Sequence, residues 1–125
     1  MDPLAGESYL SLVTFRKTGR EVPTPVWFAE RDGHYYVFSE SKAGKVKRLR
    51  NSSRARVAAC GARGAVHGEW HDANATLMDD AAAIEQAHGT IRSKYGLQMR
   101  LLDFFASLTG RKAKRAWIEI TLDGA

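Results

Sequence analysis

The dipeptide Asp32-Gly33 constrains the fold most, because it lies between two segments with the composition of β-strands. Such a dipeptide favours a two-residue turn that joins antiparallel strands. The flanking segments, residues 24–30 and 34–39, are rich in aromatic and β-branched residues. Residues 9–15 have the same character and end at a polar turn. The first third of the chain is therefore predicted to be a three-stranded antiparallel meander.

The rest of the chain is predicted to mix three helices with three further strands. In chain order these are a short helix over 45–51, strands over 57–60 and 65–77, a helix from Asp79 or Asp80 to Gly96, a helix over 97–108 before Gly110, and a strand over 116–122. Six antiparallel strands with few helices favour a small barrel, which removes the exposed sheet edges. The 125 residues suffice for one compact domain, so residues 1–125 are predicted to form a single domain.

The positive charge of the chain is concentrated in one segment. The formal net charge is +5, yet residues 41–68 contain eight basic residues and no acidic one. The remainder has eleven basic and fourteen acidic residues, a balance of −3. This distribution indicates a local anion site or a nucleic-acid surface. Aromatic residues are not interleaved with the basic ones, so a stacking platform for single-stranded nucleic acid is the weaker interpretation.

Residues 39–50 are the strongest candidate for that anion site. They leave a predicted strand, turn through serine and glycine, and enter the predicted basic helix. A helix start offers free backbone N–H groups and the positive end of the dipole, which suit a phosphate group. The glycine spacing of a P-loop is absent. A merely solvent-exposed basic helix is the alternative, but the complete lack of acidic residues favours a site.

The other reactive side chains have simpler interpretations. His67 and His71 lie four apart on a predicted strand with Glu69 between them, but a metal site needs three or four convergent ligands. They are interpreted as solvent-facing residues. Cys60 follows Val-Ala-Ala and is predicted to be buried and inert, and a single cysteine excludes an internal disulfide.

Two further features of the sequence bear on the location of the protein and on the kind of enzyme it could be. The N-terminus lacks the features of a signal peptide and no apolar run reaches the length of a membrane span, so a cytoplasmic location is expected. We find no triad, paired acids or protein nucleophile, so an enzyme built on this chain is expected to depend on a cofactor for its chemistry.

Several short motifs occur in an order that resembles one family. They are Thr24-Pro25-Val26-Trp27-Phe28, residues 41–50, Ala59-Cys60 followed by Arg63-Gly64, and Lys94-Tyr95-Gly96 with Arg100-Leu101-Leu102. Over residues 9–121 the chain resembles the pyridoxamine-phosphate-oxidase-like split β-barrel proteins, and more narrowly their small branch that uses the deazaflavin coenzyme F-420. The resemblance implies a mainly β, six-stranded split barrel that forms a homodimer, with two cofactor sites at the subunit interface.

The same resemblance implies roles for individual residues. Lys45 and Lys47 would bind the cofactor phosphate, and Ser39 and Ser41 would add donors nearby. Thr24, Pro25, Val26 and Trp27 would lie along the tricyclic ring, and Arg63 falls at the family's Arg-Gly turn. The implied activity is hydride transfer from reduced F-420 to an electron-poor organic substrate, with no catalytic side chain of the protein's own.

The choice of cofactor stays open at this stage. Ser53 and Ala59 stand where family members often have proline, which affects loop shape rather than the phosphate residues. FMN has the same phosphate and a similar ring, so an FMN-dependent oxidoreductase is the alternative enzyme. A non-catalytic flavin or haem carrier is a second class, with His67 or His71 as candidate haem ligands. A nucleic-acid binder is the third and least favoured class.

Overall fold

The computed structural model describes residues 2–111 and 114–124, and in these ranges it contains seven strands and three α-helices. In chain order they are β1 (Tyr9–Phe15), β2 (Glu21–Trp27), β3 (Ala29–Arg31), β4 (His34–Glu40), α1 (Gly44–Asn51), β5 (Arg54–Cys60), β6 (His71–Leu77), α2 (Ala81–Tyr95), α3 (Leu97–Thr109) and β7 (Arg115–Leu122). None of these helices is long and apolar enough to cross a membrane.

The strands form one antiparallel sheet in the order β2-β1-β5-β6-β7-β4-β3. The two ends of this order, β2 and β3, are consecutive in the chain and are separated only by Phe28. The sheet must therefore curl until its edges meet, as in a split barrel. The prediction of six strands was wrong by one, because the segment predicted as a single strand over 24–30 is interrupted. The backbone N–H of Phe28 donates to the Tyr95 hydroxyl at 3.0 Å rather than to a neighbouring strand.

The hairpin predicted at Asp32-Gly33 is confirmed. Both residues have positive φ, 53° and 84°, as a tight two-residue turn with this twist requires. The Glu30 carboxylate accepts a hydrogen bond from the Gly33 N–H at 2.9 Å, and Arg31 pairs with His34 to close β3 onto β4.

The strand predicted over 65–77 is confirmed only for its second part, which is β6. Residues 61–70 form a loop whose sole strand-like contact is an isolated bridge between Val66 and Cys60. This loop lies close to β5, since a Cβ on Gly68 would be 3.0 Å from that of Ala59. The common strand face predicted for His67 and His71 is consequently wrong. His67 lies in the loop, where its Nε2 is 2.6 Å from a carboxylate oxygen of Glu7.

Two apolar clusters hold the helices and the sheet together. The barrel interior contains alternate residues of the strands, such as Val37 of β4 and Ile118 and Ile120 of β7. The opposite face of β7 presents Trp117 to a second cluster beneath α2 and α3, which includes Ile91 and Met99. The short helix α1 contacts β1 and β6, and its Leu49 enters the interior cluster.

The ends of the two longer helices follow local sequence signals. The Asp80 carboxylate accepts a hydrogen bond from the Ala83 N–H at 2.9 Å and caps α2, whose end at Gly96 is confirmed. The last residue of α3 precedes Gly110, which adopts the left-handed conformation typical of a helix stop.

Candidate anion and cofactor site

The predicted turn into a basic helix is present at the start of α1. Strand β4 ends at Glu40, a short turn follows, and α1 begins at Gly44. Ala43 takes the N-cap position in an extended conformation, and no side chain caps the helix or adds negative charge to its first turn. The first N–H groups of a helix have no partner within the helix, and the dipole makes this end positive. The start of α1 can therefore accept an anion.

Lys45 lies at this helix start and is half-buried. Burial lowers the pKa of its ammonium group, and the neighbouring Arg48 lowers it further, while Glu40 acts in the opposite direction. Lys47 is exposed, and two residues along a helix place it on a different side from Lys45. Of the two lysines singled out from the sequence, Lys45 is the one held next to the helix start.

Arg48 is a site residue that the sequence reasoning did not single out. Its Nε donates to the Oγ1 of Thr14, a fully buried residue of β1, at 2.6 Å. Its NH1 lies 2.8 Å from the position that a Cβ on Gly44 would occupy. The guanidinium group thus folds back over the first turn of α1, into space that exists because Gly44 has no side chain. The spacing of Gly44 and Arg48 is compatible with this arrangement, but no local signal indicates the partner Thr14, 34 residues earlier.

The electrostatics of this cluster favour the binding of an anion. Burial lowers the pKa of the Arg48 guanidinium, and the nearby charge of Arg16 lowers it again. Among the residues that the structure describes, Arg16, Lys45 and Arg48 form no salt bridge. Since two of these cations are half-buried, a bound anion would relieve both their desolvation and their mutual repulsion.

Other basic residues of the segment are already paired. Arg56 contacts Glu21 at 3.2 Å and Asp72 at 3.4 Å. Arg54 lies over the ring of Phe15 at 4.0 Å. Some of the basic residues in 41–68 therefore contact other parts of the protein. Those at the start of α1 form no salt bridge within the described residues.

Ser39 and Ser41 lie just before α1, at the end of β4. Ser39 is buried and pairs with Ala116 across the sheet, while Ser41 donates its backbone N–H to the Lys114 carbonyl at 2.8 Å. Ser41 also lines a polar cleft of about 260 Å³ with four charged residues, Glu40, Lys42, Arg111 and Lys114. Ser39 instead lines a neighbouring depression that includes Phe38 and Leu102, so the two serines do not share one cleft.

The residues predicted to follow the cofactor ring lie on β2, at an edge of the sheet order. Thr24 and Val26 face the barrel interior with their cross-strand partners Leu12 and Leu10. Pro25 and Trp27 alternate to the other face. Trp27 stacks on the Tyr95 ring with the centroids 4.3 Å apart, so one of its faces is already covered.

Two prolines determine the hydrogen-bonding groups along the outer edge of β2. Proline has no N–H, so it is tolerated where the N–H would point away from the neighbouring strand. Pro23 and Pro25 therefore leave only carbonyl acceptors at their positions along the free edge. A Cβ on Gly64 would lie 3.9 Å from the ring of Pro25, which places the Arg63-Gly64 turn beside β2, with Arg63 itself exposed.

The register connects the anion site to this strand. Thr14, which holds Arg48, pairs with Val22 of β2. Thr24 and Trp27 lie two and five residues further along, which corresponds to roughly 7 and 17 Å at the usual rise of a strand. Thr24 and Trp27 therefore lie on the strand that pairs with the Thr14 anchor of Arg48.

The described part of the chain offers neither a cluster of metal ligands nor an exposed thiol. Among residues 2–111 and 114–124 there is no group of three or more side chains arranged to hold a metal ion. Cys60 is buried, as predicted, and burial raises the pKa of its thiol, with Glu7 adding to the effect.

Comparison with known proteins defines the class of fold. No family model and no curated protein matches the sequence. Solved structures do match: HutZ, a heme storage protein of Vibrio cholerae, has a TM-score of 0.72 at 14% identity, covering 96% of this chain and 84% of that one. A provisionally assigned pyridoxamine 5′-phosphate oxidase from Listeria innocua has a TM-score of 0.68 at 13% identity, covering 96% and 87%. A FAD-binding protein from Mesorhizobium loti has a TM-score of 0.64 at 19% identity, covering 97% and 83%. The chain therefore has the split-barrel fold of the pyridoxamine-phosphate-oxidase-like proteins.

Proposed function

We propose that this protein binds a phosphate-bearing flavin-type cofactor and uses it as an oxidoreductase. The observation that carries the proposal is the pair of half-buried cations, Lys45 and Arg48, which stand unpaired at an uncapped helix start within the described structure. The donor set suits a phosphate dianion, because two neighbouring cationic side chains lie at the positive end of a helix.

The residues of the chain would share the binding of such a cofactor. Lys45 and Arg48 would neutralise the phosphate, and Ser39 and Ser41 would donate hydrogen bonds near it. The edge of β2 from Thr24 to Trp27 would hold the ring, with the carbonyl group of Pro25 available to a ring N–H. Lys47 and Arg63, both exposed, would add positive charge at the solvent-facing border of the site.

The chemistry would come from the cofactor itself, since no protein nucleophile is needed. A bound reduced deazaflavin or flavin supplies a hydride to an acceptor. The resemblance of the sequence favours reduced F-420 and an electron-poor organic substrate, with FMN as the alternative cofactor. The protein would orient the ring and keep the phosphate fixed.

A non-catalytic carrier is the second candidate, because HutZ, one of the structural neighbours, is described as a heme storage protein. The histidines do not favour haem binding in this chain. His67 is engaged with Glu7 in the loop, and His71 lies on β6, so the two do not share a strand face.

A homodimer with the cofactor between subunits is part of the proposal. The resemblance implies it, and exposed aromatic residues such as Phe104 and Phe105 are consistent with a subunit contact.

Titration of the protein with FMN and with F-420 tests the proposal directly, following the quenching of cofactor fluorescence. We expect micromolar or tighter binding of one of them, weakened by salt. Lys45→Ala should weaken that binding about ten- to hundredfold, as expected for a hydrogen bond to a charged group. Lys47→Ala is the matched control and should have a small effect, because Lys47 is exposed.

Three outcomes would contradict the proposal. Absence of binding for both cofactors removes it. A Soret band on addition of haem, without flavin binding, would favour the carrier. Retardation of nucleic acid in a gel shift at moderate salt would favour the third class.

A further inference from the structure

Two adjoining cavities lie where the end of β4, the start of β7 and the end of α3 meet. The polar cleft described above has a volume of about 260 Å³, and the neighbouring depression has a volume of about 140 Å³. Glu40 and Arg111 border both, so the two are parts of one space with a junction at these side chains. Apart from Ser39 and Ser41, none of the residues that line this space has a role in the proposed function.

The fold fixes the walls of this space. Pairing of β4 with β7 places Glu40 opposite Arg115 at the ends of the two strands. Asp103 of α3 accepts a hydrogen bond from Arg115 at 2.7 Å, which holds the helix beside these strand ends. Helix α3 stops at Gly110, whose left-handed conformation turns the chain, and Arg111 follows directly. The walls are therefore in place before a ligand arrives, which lowers the entropy cost of binding.

The depression has an apolar side that suits one small ring. This side is lined by Phe38, Leu102 and Ala106, and the Arg115 that also borders it is already bonded to Asp103. Leu102 is 40% exposed, so an apolar group bound here would remove part of its side chain from water. An apolar cavity of about 150 Å³ accommodates one benzene ring. The depression is thus large enough for one phenyl group.

The polar cleft has an excess of positive charge. Three cationic side chains and one carboxylate line it, namely Lys42, Arg111, Lys114 and Glu40. Among residues 2–111 and 114–124, none of these four side chains forms a salt bridge. The net positive charge attracts a carboxylate group, and a guanidinium group can bind a carboxylate through two parallel hydrogen bonds. The cleft therefore favours an organic acid.

Glu40 and Arg111, both in the described part of the chain, carry opposite charges at the junction but do not pair with each other. A ligand with an ammonium group and a carboxylate group close together would satisfy both side chains. An α-amino acid has these two groups on one carbon atom, and its side chain leaves from the same atom. It can therefore direct that side chain into the depression while both charged groups stay at the junction.

We propose that this space binds a free α-amino acid with a large apolar side chain, with phenylalanine as the best match in size. Arg111 and the two lysines of the cleft bind the carboxylate, Glu40 accepts hydrogen bonds from the ammonium group, and the ring lies in the depression. A peptide fits less well, because its free amino and carboxyl groups belong to different residues. Exposed ion pairs contribute little, so we expect a dissociation constant of about 0.1–1 mM. The site does not rest on the proposed cofactor.

An NMR titration of the full chain without cofactor tests the site, with L-phenylalanine as the probe and proton–nitrogen correlation spectra as the readout. The amide signals of Arg111 and Ala106 should shift and reach saturation. Three analogues each lack one feature of the ligand: 3-phenylpropionate lacks the ammonium group, phenethylamine lacks the carboxylate, and glycine lacks the apolar side chain. Each of them should bind at least about tenfold more weakly than phenylalanine.

Variants connect each feature of the ligand to a side chain. Glu40→Gln should weaken phenylalanine binding about tenfold without weakening 3-phenylpropionate, which has no ammonium group to lose. Arg111→Ala should weaken both of these ligands but not phenethylamine, and Leu102→Ala should weaken all three. Arg100→Ala and Leu97→Ala are the matched controls, because both residues are exposed on α3 but do not line the space. The controls should bind phenylalanine like the wild type.

The proposal fails if phenylalanine gives no saturable shift, or if 3-phenylpropionate or phenethylamine binds as tightly as phenylalanine. It also fails if Glu40→Gln, shown by its spectrum to be folded, binds phenylalanine like the wild type. Lys45→Ala/Arg48→Ala should keep its phenylalanine binding, because neither residue lines the space. The two proposals can therefore fail separately, since a protein that binds phenylalanine but neither FMN nor F-420 would contradict only the proposed function.

Discussion

Replacing Asp103 should lower the free energy of unfolding strongly, although its side chain is small. Asp103 joins three elements, since its two carboxylate oxygens contact Arg115 of β7 and His88 of α2. The side chain of Arg115 is only 6% exposed and that of Asp103 13% exposed. Arg115 also lies over the ring of Phe38, with its guanidinium carbon 4.7 Å from the ring centroid. Asp103→Ala would leave a buried guanidinium group without its counter-charge.

The expected loss follows from that burial. Removing one partner of a buried ion pair typically destabilises a protein by about 3–5 kcal/mol, because the remaining charge is desolvated and unpaired. A domain of this size is commonly stable by about 5–15 kcal/mol, so Asp103→Ala should lose a large share of the total. Replacing both members, as in Asp103→Leu/Arg115→Met, should cost less, because the guanidinium charge is then not left alone, although His88 still loses its carboxylate partner.

Urea denaturation of the wild type and these variants measures the effect. The single variant should unfold at a much lower midpoint with a similar slope, and the double variant should recover part of the difference. If Asp103→Ala loses less than about 1 kcal/mol, the pair of Asp103 and Arg115 behaves like an exposed ion pair and does not stabilise the fold as a buried one. The same conclusion follows if the double variant is no more stable than the single one.

The same carboxylate predicts how stability depends on pH. Burial alone would raise the pKa of Asp103, but the hydrogen bonds from Arg115 and His88 outweigh burial and lower it. A carboxyl whose pKa is lower in the folded state contributes stability above its unfolded pKa of about 3.9 and loses it as pH falls toward the folded value. Asp103→Ala should therefore flatten the acid limb of the stability profile below about pH 4.

Two further substitutions test the contacts around the site. Gly44→Ala should displace the Arg48 guanidinium, whose NH1 lies 2.8 Å from the added Cβ, and should therefore weaken anion binding. It should also lower stability by about 1 kcal/mol, because the displacement disturbs the hydrogen bond from Arg48 to the buried Thr14 hydroxyl. Thermal unfolding and a phosphate titration measure the two effects separately, and unchanged phosphate binding would contradict the role of Arg48. Tyr95→Phe should lower stability by about 1–3 kcal/mol, because it leaves the N–H of Phe28 without its acceptor, and urea denaturation measures this loss. An unchanged midpoint would show that the hydroxyl is not needed to hold the break between β2 and β3.

The parts of the fold that depend on neighbouring residues were predictable from the sequence. The hairpin follows from Asp32-Gly33, whose positive φ values are a local requirement of the turn. The start of α2 at Asp80 and its end at Gly96 follow from equally local capping chemistry. In each case the interacting groups are within a few residues of each other.

The features that were missed depend on distant residues. The break at Phe28 requires a hydroxyl 67 residues away, on Tyr95. Residues 65–70 were predicted as part of a strand, but they make only an isolated bridge to β5 at Val66 and pass close to it at Gly68.

In the candidate site, too, the local features were predictable and those that depend on distant residues were not. The turn into α1 and the position of Lys45 were predictable from a charged helix start. The role of Arg48 was not, because it depends on Thr14, 34 residues earlier, and on the missing side chain of Gly44.

If the start of α1 binds the phosphate of the cofactor, that phosphate and the side chains of Lys45 and Arg48 should be energetically coupled, and this coupling can be measured. The affinities of the wild type and of Lys45→Ala/Arg48→Ala are compared for FMN and for riboflavin, or for F-420 and the same deazaflavin without its phosphate. We expect the wild type to prefer the phosphorylated form by about 1.5–3 kcal/mol or more, and the variant to lose that preference while binding the phosphate-free form normally. If the variant retains the full preference for the phosphorylated form, the phosphate does not bind at the start of α1.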